Sequence, residues 1–233
     1  MLVDSYSRRA RLAPLVVAML PAIALVAGSI FAVETTARLV ALLVGAAGIV
    51  LCALVRDAGT RVQARLWQEW GGSPTLRRLR FRDSESPDRV ARLHERLEFV
   101  LGLHLPTADE EIADPDAANA RYNEAVADLR QLTRTGDAFK VLAAENADYG
   151  FRRNLFGLRP FGLAVAGISG LTALLLLVLS TGPLEQRALR WGPAALIALG
   201  CLVLHGWIVT SSWVRLAGER YADRLFEAAR SVR

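Results

Sequence analysis

Four long apolar runs, two on each side of a charged middle section, limit what this chain can fold into more than any other feature. They are Ala13–Val33, Leu39–Val55, Phe161–Ser180 and Pro193–Val214, with 21, 17, 20 and 22 residues, and none contains Asp, Glu, Lys or Arg. A helix needs about 20 apolar residues to cross roughly 30 Å of hydrocarbon. All four qualify, with Leu39–Val55 at the short end. A charge at the centre of such a helix costs about 2.5–3.5 kcal/mol on insertion scales, which accounts for the missing charges. The expected fold is an all-α integral membrane protein, with four transmembrane helices as two hairpins (13–55 and 160–214) flanking a mainly helical cytoplasmic domain (56–159). Residues 1–12 and 215–233 are expected as tails. The first run follows Arg8, Arg9 and Arg11, as the apolar core of a signal peptide would. It is longer than the about 7–15 residues of such a core, and the second run follows directly, so it reads as a retained span.

Arginine placement sets the orientation. Loops on the cytoplasmic side carry the Lys/Arg excess. Arg8, Arg9 and Arg11 precede the first run. Arg56, Arg61 and Arg65 open the middle section, and Arg152, Arg153 and Arg159 close it. Arg215, Arg220, Arg224, Arg230 and Arg233 follow the last run, whereas the short turns hold only Arg38 in one and Arg187 and Arg190 in the other. Both termini and the middle section are therefore expected on the cytoplasmic side of a bacterial cytoplasmic (inner) membrane. The net charge of +5 and pI near 9.8 would suit a nucleic-acid binder. Here the excess flanks membrane spans, where Arg meets anionic headgroups, so the bilayer and not a nucleic acid polymer is the expected partner. Cys52 and Cys201 lie inside spans without a CxxC partner. They read as small packing residues, and no disulfide, metal site or cofactor is expected.

Apolar helices in lipid associate where small residues allow close approach. Each run carries such a row: Ala24, Gly28 and Ala32; Ala37, Ala41 and Gly45; Gly162, Ala166 and Gly170; Ala194 and Ala198. The fourth run also holds His205, with Thr210, Ser211 and Ser212 beyond it. His205 and Ser212 are seven apart and would share a helical face. An ionisable residue at membrane depth is a candidate functional site, so this pair is the candidate pore or intramembrane polar site. The plainer alternative is an imidazole bonded to a backbone carbonyl inside the bundle. Trp191 and Trp213 fit interfacial belts. No run contains a carboxylate, which leaves a carboxylate-based ion relay without a candidate, and a pore would need several subunits.

The middle section is neutral overall but divided. Residues 56–96 carry a net +4 (ten basic, six acidic) and residues 97–150 a net −7 (four basic, eleven acidic). Its two halves should attract one another or a neighbouring subunit. A helix over 56–70 should stop at Gly71-Gly72. Ser86-Pro87 starts another, with Val90, Leu93, Leu97, Val100 and Leu101 as its stripe and Gly102 as its end. Thr107 with Glu110 fits a capping box, and Asp114-Pro115 opens a helix with the stripe Tyr122, Val126, Leu129 and Leu132. Asp137 caps a last helix toward Tyr149. Thr75–Phe81 is expected as a short strand.

Two segments stand out. In GGSPTLRRLRFR (71–82), paired glycines and Arg77, Arg78, Arg80 and Arg82 could hold a phosphate-bearing ligand, although the Gly-Lys-Ser/Thr element of a P-loop is missing. The alternative is a basic strip lying on headgroups or on the acidic half. In AENADYGFRRNLFGLRP (144–160), Asn146, Tyr149, Arg152, Arg153 and Asn154 are candidates for coupling the cytoplasmic section to the third span, in an interfacial linker that could equally be a passive anchor. Enzyme chemistry finds no support. His94 and His104 lack partners at ligand spacing, and His94 reads as a boundary residue. Glu110, Glu111, Asp114 and Asp116 are explained as helix-start carboxylates.

The strings LWQEWGGSPTLRRLRFRD, HLPTADEEIADP and AENADYGFRRNLFGL resemble a recurring set in bacterial four-transmembrane-helix proteins, over roughly residues 66 to 160. The resemblance carries no activity with it. In architecture alone, two hairpins around a cytosolic helical sensor are similar to small membrane effectors of antiphage systems. That similarity implies a non-enzymatic, homo-oligomeric effector or channel whose cytoplasmic domain receives a nucleotide-type anionic signal and alters membrane permeability. The second expectation is a membrane-anchored scaffold, without a pore, that docks a cytoplasmic partner protein. A third, an enzyme acting on lipid headgroups, lacks a catalytic cluster.

Overall fold

The computed structural model describes residues 8–30 and 57–232, and among these the chain is helical with no strand. In chain order the helices are α1 (Ala13–Ile30, entered through a π-helical turn at Arg8–Leu12), α2 (57–69), α3 (Pro74–Leu79), α4 (Pro87–Leu101), α5 (Ala108–Ala113) and α6 (Pro115–Leu132). They continue with α7 (Lys140–Gly157, after a 3-10 turn at Asp137–Phe139), α8 (Arg159–Leu179), α9 (Leu184–Val203, prolonged by a π-helical turn at Leu204–Ile208) and α10 (Ser211–Ala228). Among the described residues, Arg8–Gly28, Arg159–Leu179 and Leu184–Ile208 are long and apolar enough to cross a membrane. The second run, Leu39–Val55, lies outside the described residues, as do Ala32, Cys52 and the Ala37, Ala41, Gly45 row. The chain divides into an apolar unit, Met1–Gln63 with Gly150–Val214, and a polar unit, Ala64–Tyr149 with Arg215–Arg233.

In the apolar unit α1, α8 and α9 pack on one another through small residues. Gly162, Ala166, Ser169 and Ala173 form the buried face of α8, and Trp191, Ala194, Ala198 and Cys201 that of α9. The close approach is specific. A methyl group added at Gly170 would sit 3.1 Å from the Ala198 Cβ, and one at Gly28 would stand 2.9 Å from the Arg190 carbonyl oxygen and 3.2 Å from the Trp191 ring. Large apolar side chains such as Ile168, Leu171, Val178, Leu196 and Leu199 point outward, as a lipid-facing surface requires.

The fourth run does not coincide with its helix. α9 begins at Leu184 and takes Pro193 into its interior. The charged start is matched by a carbonyl partner for each Arg there, and for Arg187 these are carbonyls left open at the end of α8. Arg187 donates to the Leu177 and Val178 carbonyls (3.1 and 3.0 Å) and Arg190 to that of Gly28 (2.9 Å). The helix stops at Ile208, and the Thr210 hydroxyl then accepts from the Trp213 amide at 3.3 Å to start α10. Trp191 is buried beside Gly28 and is not part of an outer aromatic belt.

The polar unit contains α3 to α6, parts of α2 and α7, and most of α10. The expected strand at Thr75–Phe81 is helix α3. Ser73 accepts from the Leu76 amide at 3.2 Å, and Pro74 occupies the first turn, so a cap and a pre-set φ outweigh weak strand propensity. Gly71 (φ +76°) and Gly102 (φ +66°) close α2 and α4 in the left-handed region, as expected. The Thr107–Glu110 capping box forms. Segment 144–160, expected as a linker, is helical through Gly157, and α8 starts at Arg159. Residues 215–233, expected as a tail, fold into this unit. Ala217, Tyr221, Ala222, Leu225 and Ala229 are buried, and a methyl group at Gly218 would meet Pro74 Cγ at 2.9 Å.

Candidate functional site

The four arginines of 77–82 are committed to internal bonds. Arg80, only 7% exposed, donates to the Gly71 carbonyl (2.6 Å) and to Asn119 (2.8 Å), and lies 3.4 Å from Asp83. The turn expected to cradle a phosphate thus holds a guanidinium against its own carbonyl. Arg82 sits 3.7 Å from Glu111, Arg77 3.7 Å from Asp83 and Arg78 2.9 Å from Asp223. The two halves meet in the ion pair Arg82–Glu111 and the hydrogen bond from Arg80 to the neutral Asn119, while Arg78 turns to α10.

Glu111 shows why. Expected as one of several helix-start carboxylates, it is buried and accepts from the Phe81 amide (2.9 Å), the Arg82 amide (3.4 Å) and the Tyr122 hydroxyl (2.9 Å). Burial and that bond push the Tyr122 phenol well above its ordinary value. His94, expected at a boundary, is buried between Phe81 (ring centroids 5.0 Å) and Tyr122 (5.3 Å), and donates from Nε2 to the Leu79 carbonyl at 2.8 Å. Burial holds its imidazole below the ordinary 6.5, against the opposing pull of that carbonyl and of Glu98 and Glu111. Glu110 receives the Thr107 amide (2.8 Å) and hydroxyl (3.0 Å), which hold its carboxyl below the usual range. Every polar group of this cluster has a structural partner, so the arrangement orders a core and exposes no reactive atom.

Beside it lies a groove of about 1170 Å³ between α4 and α10. Arg77 and Arg78 reach it, but its wall is set by Arg89, Arg92 and Arg96, at i, i+3 and i+7 on one face of α4, with Phe99 one turn further and Arg230 opposite. These four arginines make no ion pair among the described residues. Phe99 is 86% exposed. Sequence reasoning missed this face, although the Arg spacing and the off-stripe Phe99 were both legible.

The coupling residues separate by unit. Tyr149 accepts from Trp67 Nε1 at 3.2 Å and stacks on Tyr221 in the polar unit, where Asn146 is half-buried. In the apolar unit Arg152 donates to the Trp213 carbonyl at 3.2 Å and lies 4.7 Å over its ring. Arg153 bonds Gln63, and the buried Asn154 donates to the Ala10 carbonyl at 2.5 Å. All five sit on one helix, α7.

His205 and Ser212 are not brought together. His205 lies in the π-helical turn that ends α9, fully buried, with Nδ1 donating to the Cys201 carbonyl at 2.9 Å and Nε2 without a partner among the described residues. Its ring fills the space over Gly162, where a methyl group would overlap it. Arg159 donates to the His205 and Gly206 carbonyls (2.7 and 3.0 Å), which the π turn leaves open. Ser212 is exposed on α10, beyond the break at Val209–Thr210, so the seven-residue spacing does not place it on one face with His205. Comparisons of the chain with family models, curated proteins and solved structures return no match.

Proposed function

We propose that the protein is a membrane-anchored docking module. Four transmembrane helices in two hairpins hold it in the bacterial cytoplasmic membrane, with both termini and residues 56–159 on the cytoplasmic side. The polar unit binds a partner protein there, and no catalytic role is assigned. The supporting observation is the location of the exposed, uncompensated charge. Gly28, Gly162, Ala166, Gly170, Ala194 and Ala198 are packed against neighbours inside one copy's helices, while arginines that make no ion pair among the described residues and the exposed Phe99 lie on the polar unit. A buried imidazole bonded to its own backbone braces a bundle, whereas unpaired charge around an exposed aromatic is the composition of a binding surface. The test is reconstitution of the full chain in dye-loaded liposomes, alongside cross-linking in native membranes. The expected outcome is a silent membrane and a partner recovered in fixed stoichiometry. Dye release that needs the intact protein would overturn it.

The effector reading is kept as a second one on the strength of α7. This single helix carries Asn146 and Tyr149 in one unit and Arg152, Arg153 and Asn154 in the other. An anionic, nucleotide-type ligand at Arg77 and Arg78 could then be felt in the apolar unit of a homo-oligomer. Ligand-triggered dye release that is lost in Arg152→Ala and Arg153→Ala variants would select it.

A further inference from the structure

The polar unit carries a second uncompensated surface. At the α5–α6 corner Ile112 is 77% exposed, and the exposed Asp109 and Asp116 on either side of it make no ion pair among the described residues. The neighbouring carboxylates are already engaged: Glu110 and Asp114 cap α5 and α6, Glu111 is buried, and Glu124 pairs with Arg121 at 3.2 Å. This corner and the α4 groove are different surfaces, because none of Asp109, Ile112 and Asp116 lines the groove. The groove's own acids do not neutralise it. Asp83 and Asp223 are paired with Arg77 and Arg78, and Glu227 lies 2.6 Å from Arg224. Glu85 and Glu95 remain against Arg89, Arg92, Arg96 and Arg230, which leaves the groove positive. One chain therefore displays a basic groove with an exposed aromatic in its wall and, elsewhere, an acidic corner led by an exposed aliphatic side chain.

We propose that the polar unit docks head-to-tail on a second copy of itself, with Ile112 of one copy packing against Phe99 of the next and Asp109 and Asp116 meeting Arg89, Arg92 and Arg96. The inference rests on the docking reading above and names its partner. Charge complementarity carries it, since the −7 of residues 97–150 is only partly spent inside the fold. Geometry agrees. Copies anchored in one bilayer share one orientation, and a contact between two different patches repeats by rotation about the membrane normal, closing into a ring or running on as a chain. Rim charges act mainly on encounter and specificity, and their reach at 0.15 M salt is about 8 Å, so association should weaken as salt rises.

The test uses the full chain in detergent, with mass measured across dilution. Variant one is Arg89→Ser/Arg92→Ser/Arg96→Ser, and variant two is Asp109→Ser/Ile112→Ser/Asp116→Ser, each checked by circular dichroism. Wild type should associate, and each variant alone should associate about tenfold more weakly or worse, the equivalent of losing roughly 1.4 kcal/mol. Mixed in equal amounts, the two variants should form pairs that grow no further, because each supplies the patch the other lacks. A Phe99→Cys protein mixed with an Ile112→Cys protein should cross-link, whereas either alone should not. Failure of mixing to restore association would overturn the proposal, as would a wild type whose mass ignores both variants. Groove arginines that bind phosphatidylglycerol vesicles while the protein stays monomeric would overturn it in favour of a lipid surface. In any of these cases a different protein recovered stoichiometrically from native membranes would leave the docking reading standing, while dye release would remove that reading and not this contact.

Discussion

His94 shows how one side chain can be misread when only its neighbours in sequence are visible. Beside the Leu93/Leu97 stripe it reads as an edge residue, yet it is buried between two aromatic rings with its Nε2–H on a backbone carbonyl. Its folded-state pKa is lowered by burial. The unfolded chain therefore takes up a proton near pH 6.5 while the native state resists it. Stability is complete above that pH, falls as pH drops through it, and levels off below the folded value. Urea midpoints at pH 7.5 and 5.5 should show the fall, and His94→Gln, which keeps a donor near the Nε2 position but cannot titrate there, should flatten it. His205 poses a steric question instead. Gly162→Ala should cost about 1–3 kcal/mol, as overpacking does, and much of that should disappear in a His205→Ala background. Thermal unfolding of the four proteins in detergent gives the coupling directly.

Helix starts were the most legible elements, because a cap is a short-range device. Thr107 with Glu110, Asp114-Pro115 and Ser86-Pro87 all stand at helix starts, although Ser86 makes no side-chain cap bond and Ser84 accepts from its amide instead. Thr107→Ala should lower the unfolding free energy by about 1 kcal/mol, and should also release the Glu110 carboxyl from its lowered pKa, which carbon-detected NMR titration would report. Apolar-run edges were poorer guides. α9 extends past its run through Glu185, Arg187 and Arg190 because Arg187 hydrogen-bonds to carbonyls at the end of α8 and Arg190 to the Gly28 carbonyl, and it stops before the run does because the π turn and Thr210 break it. The expected strand at 75–81 failed for the same kind of reason, since a serine cap and a proline outweighed a weak local pattern.

The apolar and polar units differ in how they are held. The first packs small residues on small residues, which suits lipid, where apolar surface gains little from burial. The second buries Leu79, Leu97, Tyr122, Leu129 and Leu225 in the ordinary aqueous way. The proposed topology makes a direct prediction. A cysteine placed in the 181–183 turn should react with a membrane-impermeant maleimide on intact cells, while one in the 134–136 loop should react only after lysis. The reverse pattern would invert the orientation drawn from the arginines.

The sequence by itself determined which segments are apolar and which are charged, the helical class, several helix starts and the uneven charge of the middle section, because hydropathy, caps and net charge are local or additive quantities. The tertiary structure decided which arginines are left over. Arg77, Arg78, Arg80 and Arg82 form the densest basic string, yet each finds a partner once α3 folds against its neighbours, whereas the sparser Arg89, Arg92 and Arg96 share a helix face and make no ion pair among the described residues. Only the fold could also show that 215–233 supplies core residues and that Ser212 leaves the face of His205. Whether a charge is spent, or a spacing keeps two residues on one face, depends on partners and breaks distant in sequence, and these exist only after the chain has packed.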